Sequence, residues 1–221
     1  MANMNSELIL RGNSEHQIKV SAAEIAGKIA DLHFVHFYDA AEVRQDSRMA
    51  PQDWTVSILL AGIPNWKNVR DSLWHKGKSR WHAIDVKLGQ VDSQWRLIDE
   101  RASKYKDKFE ELLAAMLAVN GIQSPIATKI LHKKRPNLIP VVDSIVAGFY
   151  LGRRLPLQKD NRQVEAVSDV IFNHFRSDLL LRSNRTAIAD IQSHLSENHD
   201  IPFLSDVRIL ELTIWLKYNA V

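Results

Sequence analysis

The 221-residue sequence contains no cysteine, which excludes disulfide bonds, thiol nucleophiles, thiolate-ligated zinc and iron–sulfur clusters. It also has no apolar run of the roughly 20 residues that a membrane-spanning helix requires, and its first residues are too polar for a signal peptide. Walker-type loops, Rossmann glycine patterns, Gly-x-Ser-x-Gly elbows and His-Glu-x-x-His motifs are missing as well. We therefore expect a cytoplasmic protein without membrane contact, cofactor or metal, and we find no support for nucleotide hydrolysis, serine hydrolysis or zinc proteolysis.

Strand patterns are scarce, and helical periodicity dominates. Leu8–Leu10 and Ile18–Val20 predict either a short hairpin around Gly12-Asn13 or an extended arm. The hydrophobic fraction of 45% and charged fraction of 25% are typical of a soluble globular protein. The sequence predicts one all-α domain over residues 1–221, either as a single compact body or as two helical lobes with a cleft between them.

Start and stop signals delimit the predicted helices. Ser21 with Glu24 forms a capping box, Asn120-Gly121 is a helix end, and Ser124-Pro125 is a helix start. The most regular apolar stripe runs along Tyr105–Val119 at spacings of three and four residues. The predicted helices are Ser21–His33, one from Pro51 to Ala61, at least one within Trp66–Arg101, Tyr105–Val119, Ser124–Leu131, Val141–Tyr150, Gln163–Leu181, Thr186–Glu197 and Phe203–Tyr218.

Basic residues are concentrated in one part of the chain. The formal net charge is only +3, but the window from Lys129 to Arg162 holds eight basic and two acidic residues, a local excess of 8 − 2 = +6. A second basic stretch lies between Arg70 and Lys87. Clustered positive charge favours binding to the phosphates of nucleic acid, although a solvated face of an ordinary enzyme has the same composition.

The segment Leu112–Val146 carries the most specific pattern. A helix ends at Gly121, a tight turn follows, a second helix begins at Ser124, and Val142-Asp143-Ser144 lies about twelve residues beyond that helix. This segment resembles the helix–hairpin–helix DNA glycosylase superfamily, with Gly121-Ile122 at the hairpin entry, Ala127 at the small packing position and Asp143 at the position of the catalytic carboxylate. The whole chain is also similar to a group of uncharacterised bacterial proteins that share Ala127-Thr128-Lys129-Ile130-Leu131, Lys134-Arg135-Pro136, Ile139-Pro140-Val141 and Asp143-Ser144.

The resemblance implies a helix–hairpin–helix core at about 105–150 and a protein that binds DNA. It further implies that Asp143 stabilises the cationic sugar, or positions water, as a flipped-out base leaves. The nucleic-acid contacts that it implies are Gly121, Gln123, Ser124, Lys129, Lys133, Lys134 and Arg135.

Three positions depart from the pattern of the superfamily. Gln123 replaces the second hairpin glycine, and Ile145 replaces the histidine that follows the Asp-Thr pair. Pro125 stands where bifunctional members carry a nucleophilic lysine, so the resemblance favours a monofunctional enzyme unless Lys129 substitutes one turn later.

A structural interpretation competes with each functional one. Asp143 is also an ordinary helix N-cap, so the alternative function is a non-catalytic module that binds nucleic acid or protein. The tryptophans at 54, 66, 74, 81 and 95 could line a base-stacking pocket but more often fill a core, and the Trp-His dipeptides at 74 and 81 could border a phosphate site or merely pack. His33, His36 and Asp39 are either metal ligands on one face of a helix or a half-buried helix edge. The last helix, with Arg208, Glu211, Trp215 and Lys217, is interpreted as a packing helix with surface ion pairs.

Overall fold

The computed structural model describes residues 6–13, 17–60, 65–75, 78–155, 161–199, 201 and 203–218. The fold is mainly α-helical with one two-stranded antiparallel sheet, which confirms the predicted helical class. The strands are β1 (Glu7–Arg11) and β2 (Gln17–Ser21), and the α-helices are α1 (Ala22–Ala30), α2 (Trp66–Arg70), α3 (Lys78–Gly89), α4 (Lys106–Leu117), α5 (Ser124–Lys134), α6 (Ser144–Leu151), α7 (Asn161–Asp169), α8 (Arg176–Leu180), α9 (Arg182–His199) and α10 (Asp206–Tyr218). Short 3₁₀ segments occupy Pro51–Trp54, Val56–Leu60 and Ala102–Tyr105, and π-helical turns occupy Val35–Asp39, Asp71–His75 and Val170–Phe175.

The N-terminal hairpin forms as one of the two predicted alternatives. Leu8 pairs with Val20 and Leu10 with Ile18, and both leucines are completely buried. The edge of the hairpin is tied to the C-terminal half by Asn184, whose amide accepts from the backbone N–H of Ile9 at 2.8 Å and donates to its carbonyl at 2.7 Å. The buried Asn184 side chain thereby provides hydrogen-bond partners for the backbone N–H and carbonyl of Ile9 at the edge of the hairpin.

Local signals explain most helix boundaries. Ser21 caps α1 by accepting from the Glu24 N–H at 3.2 Å, as predicted. Helix α4 ends at Leu117, two residues before the predicted end at Val119 and ahead of the turn at Gly121. The start of α5 differs by one position, because Gln123 is its N-cap and Ser124 is its first, fully buried residue. The predicted helix from Pro51 to Ala61 is two 3₁₀ segments instead, and Ala61 lies outside the described residues.

The buried apolar side chains of the described residues form one connected core that extends from Leu8 to Ile214. Within it α4 packs on α3, α5 and α7, while α10 packs on α6, α9 and α1. These contacts bring the start of α6 beside α10 and α5, and this junction holds the candidate site. No helix among the described residues is both long and apolar enough to cross a membrane.

Candidate functional site

Asp143 has two different environments at its two carboxylate oxygens. It is the N-cap of α6, and Oδ1 accepts from the backbone N–H groups of Ile145 at 2.9 Å and Val146 at 3.0 Å. No described residue donates a hydrogen bond to Oδ2. The side chain is half-buried and borders two neighbouring pockets. The helix start therefore fixes the carboxylate through Oδ1, while leaving the other oxygen able to act on a ligand.

Lys129 lies beside this carboxylate on α5. Its ammonium donates to the carbonyl of Leu60 at 2.8 Å, and its own backbone carbonyl accepts from the Tyr38 hydroxyl at 2.7 Å. Burial lowers the pKa of Lys129 below its ordinary value, and the negative charges of Asp143 and Glu211 oppose that shift. Lys129 thus supplies a positive charge that is held in place next to Asp143.

Two pockets meet at Lys129, Asp143 and Leu60. The smaller one, about 250 Å³, is walled by apolar side chains that include Leu59, Val141 and the edge-to-face pair of Phe34 and Trp215, whose ring centroids are 5.5 Å apart. The larger one, about 650 Å³, is bordered by polar groups from the starts of α5 and α6, the 154–155 segment and α7, which are Gln123, Ser124, Ser144, Arg154 and Gln163. The junction can therefore accept a ligand with one flat apolar part and one polar or anionic part.

A buried ionic cluster lies beside the smaller pocket, which two of its members, Arg208 and Glu211, border. The guanidinium of Arg208 donates to Asp39 through Nε at 3.0 Å and Nη2 at 2.9 Å, and to Glu211 through Nη1. All three side chains are at most 6% exposed. The prediction of surface ion pairs on this helix is wrong for Arg208 and Glu211, because α10 is covered by α1, α6 and α9.

Arg208, Glu211 and Trp215 are the site residues that sequence reasoning missed. The sequence does contain a pattern that points to them. They are spaced at i, i+3 and i+7 along a helix in which most of the other residues are apolar. A helix that is hydrophobic on all sides is buried, so charges within it require internal partners. The partner of Arg208, Asp39, is 169 positions away and cannot be read from that pattern.

The turn between α4 and α5 has the geometry that its glycine predicts. Gly121 adopts φ +94°, and a Cβ there would lie 2.9 Å from the carbonyl oxygen of Asn65. Gln123 is exposed and borders the larger pocket. Ser124 is buried and its hydroxyl accepts from Gln163 Nε2 at 3.1 Å, so its side chain serves internal packing.

Lys134 and Arg135 do not reach the surface, and the expectation that they contact phosphate does not hold in this structure. Lys134 is completely buried, pairs with Asp53 at 2.7 Å and Asp46 at 3.1 Å, and donates to the carbonyls of Arg44 and Arg48. Arg135 is 1% exposed and donates to the carbonyls of Leu88, Val91, Gln45, Asp46 and Lys134. Both cations anchor the 44–48 and 88–91 segments rather than offering charge to a ligand.

The remaining basic residues are divided between paired and exposed positions. Lys133 is half-buried, donates to the carbonyl of Asp39 at 3.0 Å and lies 5.3 Å from the Tyr38 ring centre. Arg153 and Arg154 are exposed, and Arg154 borders the larger pocket. Positive charge at the rim thus comes from the segment after α6 instead of the end of α5.

Several residues of the second basic stretch, between Arg70 and Lys87, interact with other groups of the protein. Arg70 pairs with Asp71, Lys87 pairs with Glu111, and Arg80 donates to Ser72 and to the carbonyl of Ala118. Lys76 lies outside the described residues.

Trp54, Trp81 and Trp95, like His33 and His36, do not border this junction, and the side chains of Trp66 and Trp74 lie outside the described part of the structure. Trp54 is buried against Trp81 at 5.7 Å, and Trp95 stacks on Tyr105 at 4.0 Å, so these three rings pack internally. Asp39 is held by Arg208, and no group of three metal-binding side chains occurs in the described part of the chain. Among the tryptophan side chains that the structure describes, Trp215 is the one that borders this site.

The chain belongs to the family described as Family of unknown function (DUF6308), whose pattern it matches over residues 33–217. That match includes Asp143, Lys129 and the whole ionic cluster around Arg208. No curated protein and no solved structure gives a significant match to the chain.

Proposed function

We propose that this member of the DUF6308 family binds DNA and hydrolyses an N-glycosidic bond, with Asp143 as the carboxylate beside the reacting sugar. The observation that carries the proposal is the position of Asp143, which borders both pockets while two backbone N–H groups fix one of its carboxylate oxygens. A carboxylate that is fixed beside the sugar stabilises the positive charge that develops there as a base departs.

The two pockets correspond to the two parts of a nucleotide. An enzyme that acts on a base in DNA must flip that base out of the duplex into a pocket. The smaller pocket offers Trp215, Phe34 and Leu59 to a flat ring, and the larger one offers Gln123, Ser144 and Arg154 to the sugar and its phosphates. This arrangement, together with the resemblance of the Leu112–Val146 segment to the glycosylases, supports the proposal.

Asp143 can be tested without disturbing its structural role. Asparagine is as good an N-cap as aspartate, so Asp143→Asn keeps the hydrogen bonds at the start of α6 and removes only the charge. We expect this variant to retain DNA binding and thermal stability while base release falls at least a hundredfold. Asp143→Ala also loses the cap and should be less stable by about 1 kcal/mol.

The measurement is base release from 30-base-pair duplexes that each carry one uracil, hypoxanthine or 7-methylguanine, with binding followed by fluorescence anisotropy over a salt titration. Binding of a cationic surface to DNA weakens steadily as salt increases. Absence of any salt-dependent binding would exclude the proposal.

A non-catalytic DNA-binding role is the second candidate, and the capping bonds of Asp143 favour it because they give the residue a purely structural task. In that case the wild-type protein binds the duplexes but releases no base from any of them, and Asp143→Asn behaves as the wild type does.

A further inference from the structure

Glu211 is a second carboxylate at the smaller pocket, and it has no role in the hydrolysis proposed above. It lies on α10, whereas Asp143 opens α6, and these two helices pack against each other. Both residues border the 250 Å³ pocket, together with Lys129 and Trp215. Oε2 of Glu211 accepts from Arg208, and no described residue donates to Oε1.

We propose that Glu211 is the acid that protonates the departing base. The inference rests on the proposed hydrolysis at Asp143, and it deepens that function by assigning the proton donor. Arg208 fixes one oxygen of Glu211, so the other oxygen is the one that can hold a proton and deliver it into the pocket. A residue that is 4% exposed and held by a buried guanidinium is already oriented, which a positioned acid requires.

The charges around the two carboxylates decide which of them keeps a proton. Glu211 faces Arg208 on its own helix, Asp39 and Tyr38 on the 35–39 turn, Asp143 at the start of α6, and Lys129 on α5. Burial raises the pKa of Glu211 to about 7, with Arg208 opposing and Asp143 and Asp39 adding to the rise. Asp143 instead accepts hydrogen bonds from two backbone N–H groups at the start of α6, a polar environment that the Glu211 carboxyl group lacks. Two neighbouring carboxylates in such different surroundings divide into one acid and one base.

The proton balance of the reaction follows from this division. As the bond between the sugar carbon and the base nitrogen breaks, its electron pair stays on the base, which takes the proton from Glu211. Water adds to the sugar carbon and gives one proton to Asp143. The products are the free base and a sugar hydroxyl. Transfer of the proton from Asp143 to Glu211, directly or through water, restores the starting state.

The test compares two leaving groups. Hypoxanthine in DNA requires a proton to depart easily, whereas 7-methylguanine is already positively charged and leaves as a neutral base. Glutamine at position 211 keeps the shape and an acceptor for Arg208 but has no transferable proton. We expect Glu211→Gln to slow hypoxanthine release by about 10²- to 10⁴-fold, the usual contribution of a general acid, and to change 7-methylguanine release by less than threefold.

The pH profile gives a second readout that a merely structural residue would not alter. In the wild-type protein, kcat/KM for hypoxanthine should fall as pH rises through about 7, because Glu211 then loses its proton. The Glu211→Gln variant should lack this alkaline limb, and Glu211→Asp, which keeps a carboxyl group, should retain it. Asp178 is a matched control, since it is another buried carboxyl group, with a pKa that burial raises to about 6, and it borders neither pocket. The Asp178→Asn variant should keep the limb.

The outcomes separate this inference from the proposed function. If Asp143→Asn stops release of both bases while Glu211→Gln releases hypoxanthine at the wild-type rate, Glu211 is not the acid and the hydrolysis stands. Release of 7-methylguanine alone by the wild-type protein leads to the same conclusion, because no acid is then needed. If the wild-type protein releases no base, both proposals fail. Should Glu211→Gln not fold, ¹³C-glutamate NMR of the wild-type protein decides, and a carboxyl group at 211 that titrates at its ordinary pKa overturns the inference.

Discussion

The guanidinium of Arg208 holds both carboxylate oxygens of Asp39 across 169 positions of sequence, at 3.0 Å through Nε and 2.9 Å through Nη2. The same guanidinium lies 5.0 Å from the ring centre of Tyr38 and donates to Glu211. This contact joins the short helical turn at 35–39 to α10, and Arg208 and Glu211 also border the pocket that Asp143 borders. A cation buried to this degree depends on its partners, because removal of either side leaves an unpaired charge away from water.

Loss of Arg208 should destabilise the fold more than loss of an exposed ion pair does. Arg208→Ala leaves Asp39 and Glu211 buried without their counter-charge, so we expect about 3–5 kcal/mol less free energy of unfolding. Arg96→Ala is the matched control, since Arg96 is 51% exposed and pairs with Asp206 at 3.5 Å, and it should change stability by less than about 1 kcal/mol. Urea denaturation followed by circular dichroism measures both. Equal losses in the two variants would contradict the buried character of the Arg208 cluster.

The turn at Gly121 should not tolerate a side chain. Its φ is +94°, and the carbonyl oxygen of Asn65 lies 2.9 Å from the position that an added Cβ would occupy, so Gly121→Ala should lose about 1–3 kcal/mol. Gly27 lies within α1 and a Cβ there meets no atom within 4 Å, so Gly27→Ala should gain up to about 1 kcal/mol from reduced backbone entropy. Thermal melts of the two variants should therefore move in opposite directions.

Exposed arginines after α6, rather than the buried cations at the end of α5, should determine DNA affinity. Arg154 borders the larger pocket and Arg153 is its exposed neighbour. The double variant Arg153→Ala, Arg154→Ala removes both charges, so its affinity should fall and its salt dependence should become shallower by about two phosphate contacts. Arg182 and Arg185 are likewise exposed on α9 and border neither pocket, so their double alanine variant serves as the control. Anisotropy titrations at several salt concentrations compare the pairs, and similar losses in both would show that binding is spread over the whole surface.

Asp178 should make stability depend on pH in a definite direction. Its carboxyl group accepts from the Tyr150 hydroxyl at 2.9 Å and from the Arg11 N–H, but burial dominates and raises its pKa from 3.8 to about 6. Because the folded state binds this proton more tightly than the unfolded state, the stabilising contribution is full below pH 3.8 and is lost as pH rises to 6. The difference in unfolding free energy between the wild-type protein and Asp178→Asn should therefore change between about pH 4 and 6 and stay constant above about 7. A difference that does not vary with pH would show that Asp178 titrates normally.

Local patterns in the sequence determined much of the secondary structure. The Ser21 cap, the stripe on α4, the Gly121 turn and the two apolar strand segments depend on neighbours within a few residues, so they could be predicted and the structure confirms them. The position of Asp143 at the start of a helix could also be predicted from the sequence, because helix capping is a local interaction.

Tertiary packing decided which charges are available and which residues share a pocket. Lys134 and Arg135 look like surface cations in sequence, yet both are buried, because carbonyl groups and carboxylates from the 44–53 and 88–91 segments surround them. Glu211 and Asp143 are far apart in the sequence and meet only because α10 packs on α6. Whether a charge is solvated or buried, and which other charge it faces, depends on contacts between distant segments. For that reason the sequence by itself located Asp143, whereas only the folded chain placed Lys129, Arg208 and Glu211 around it.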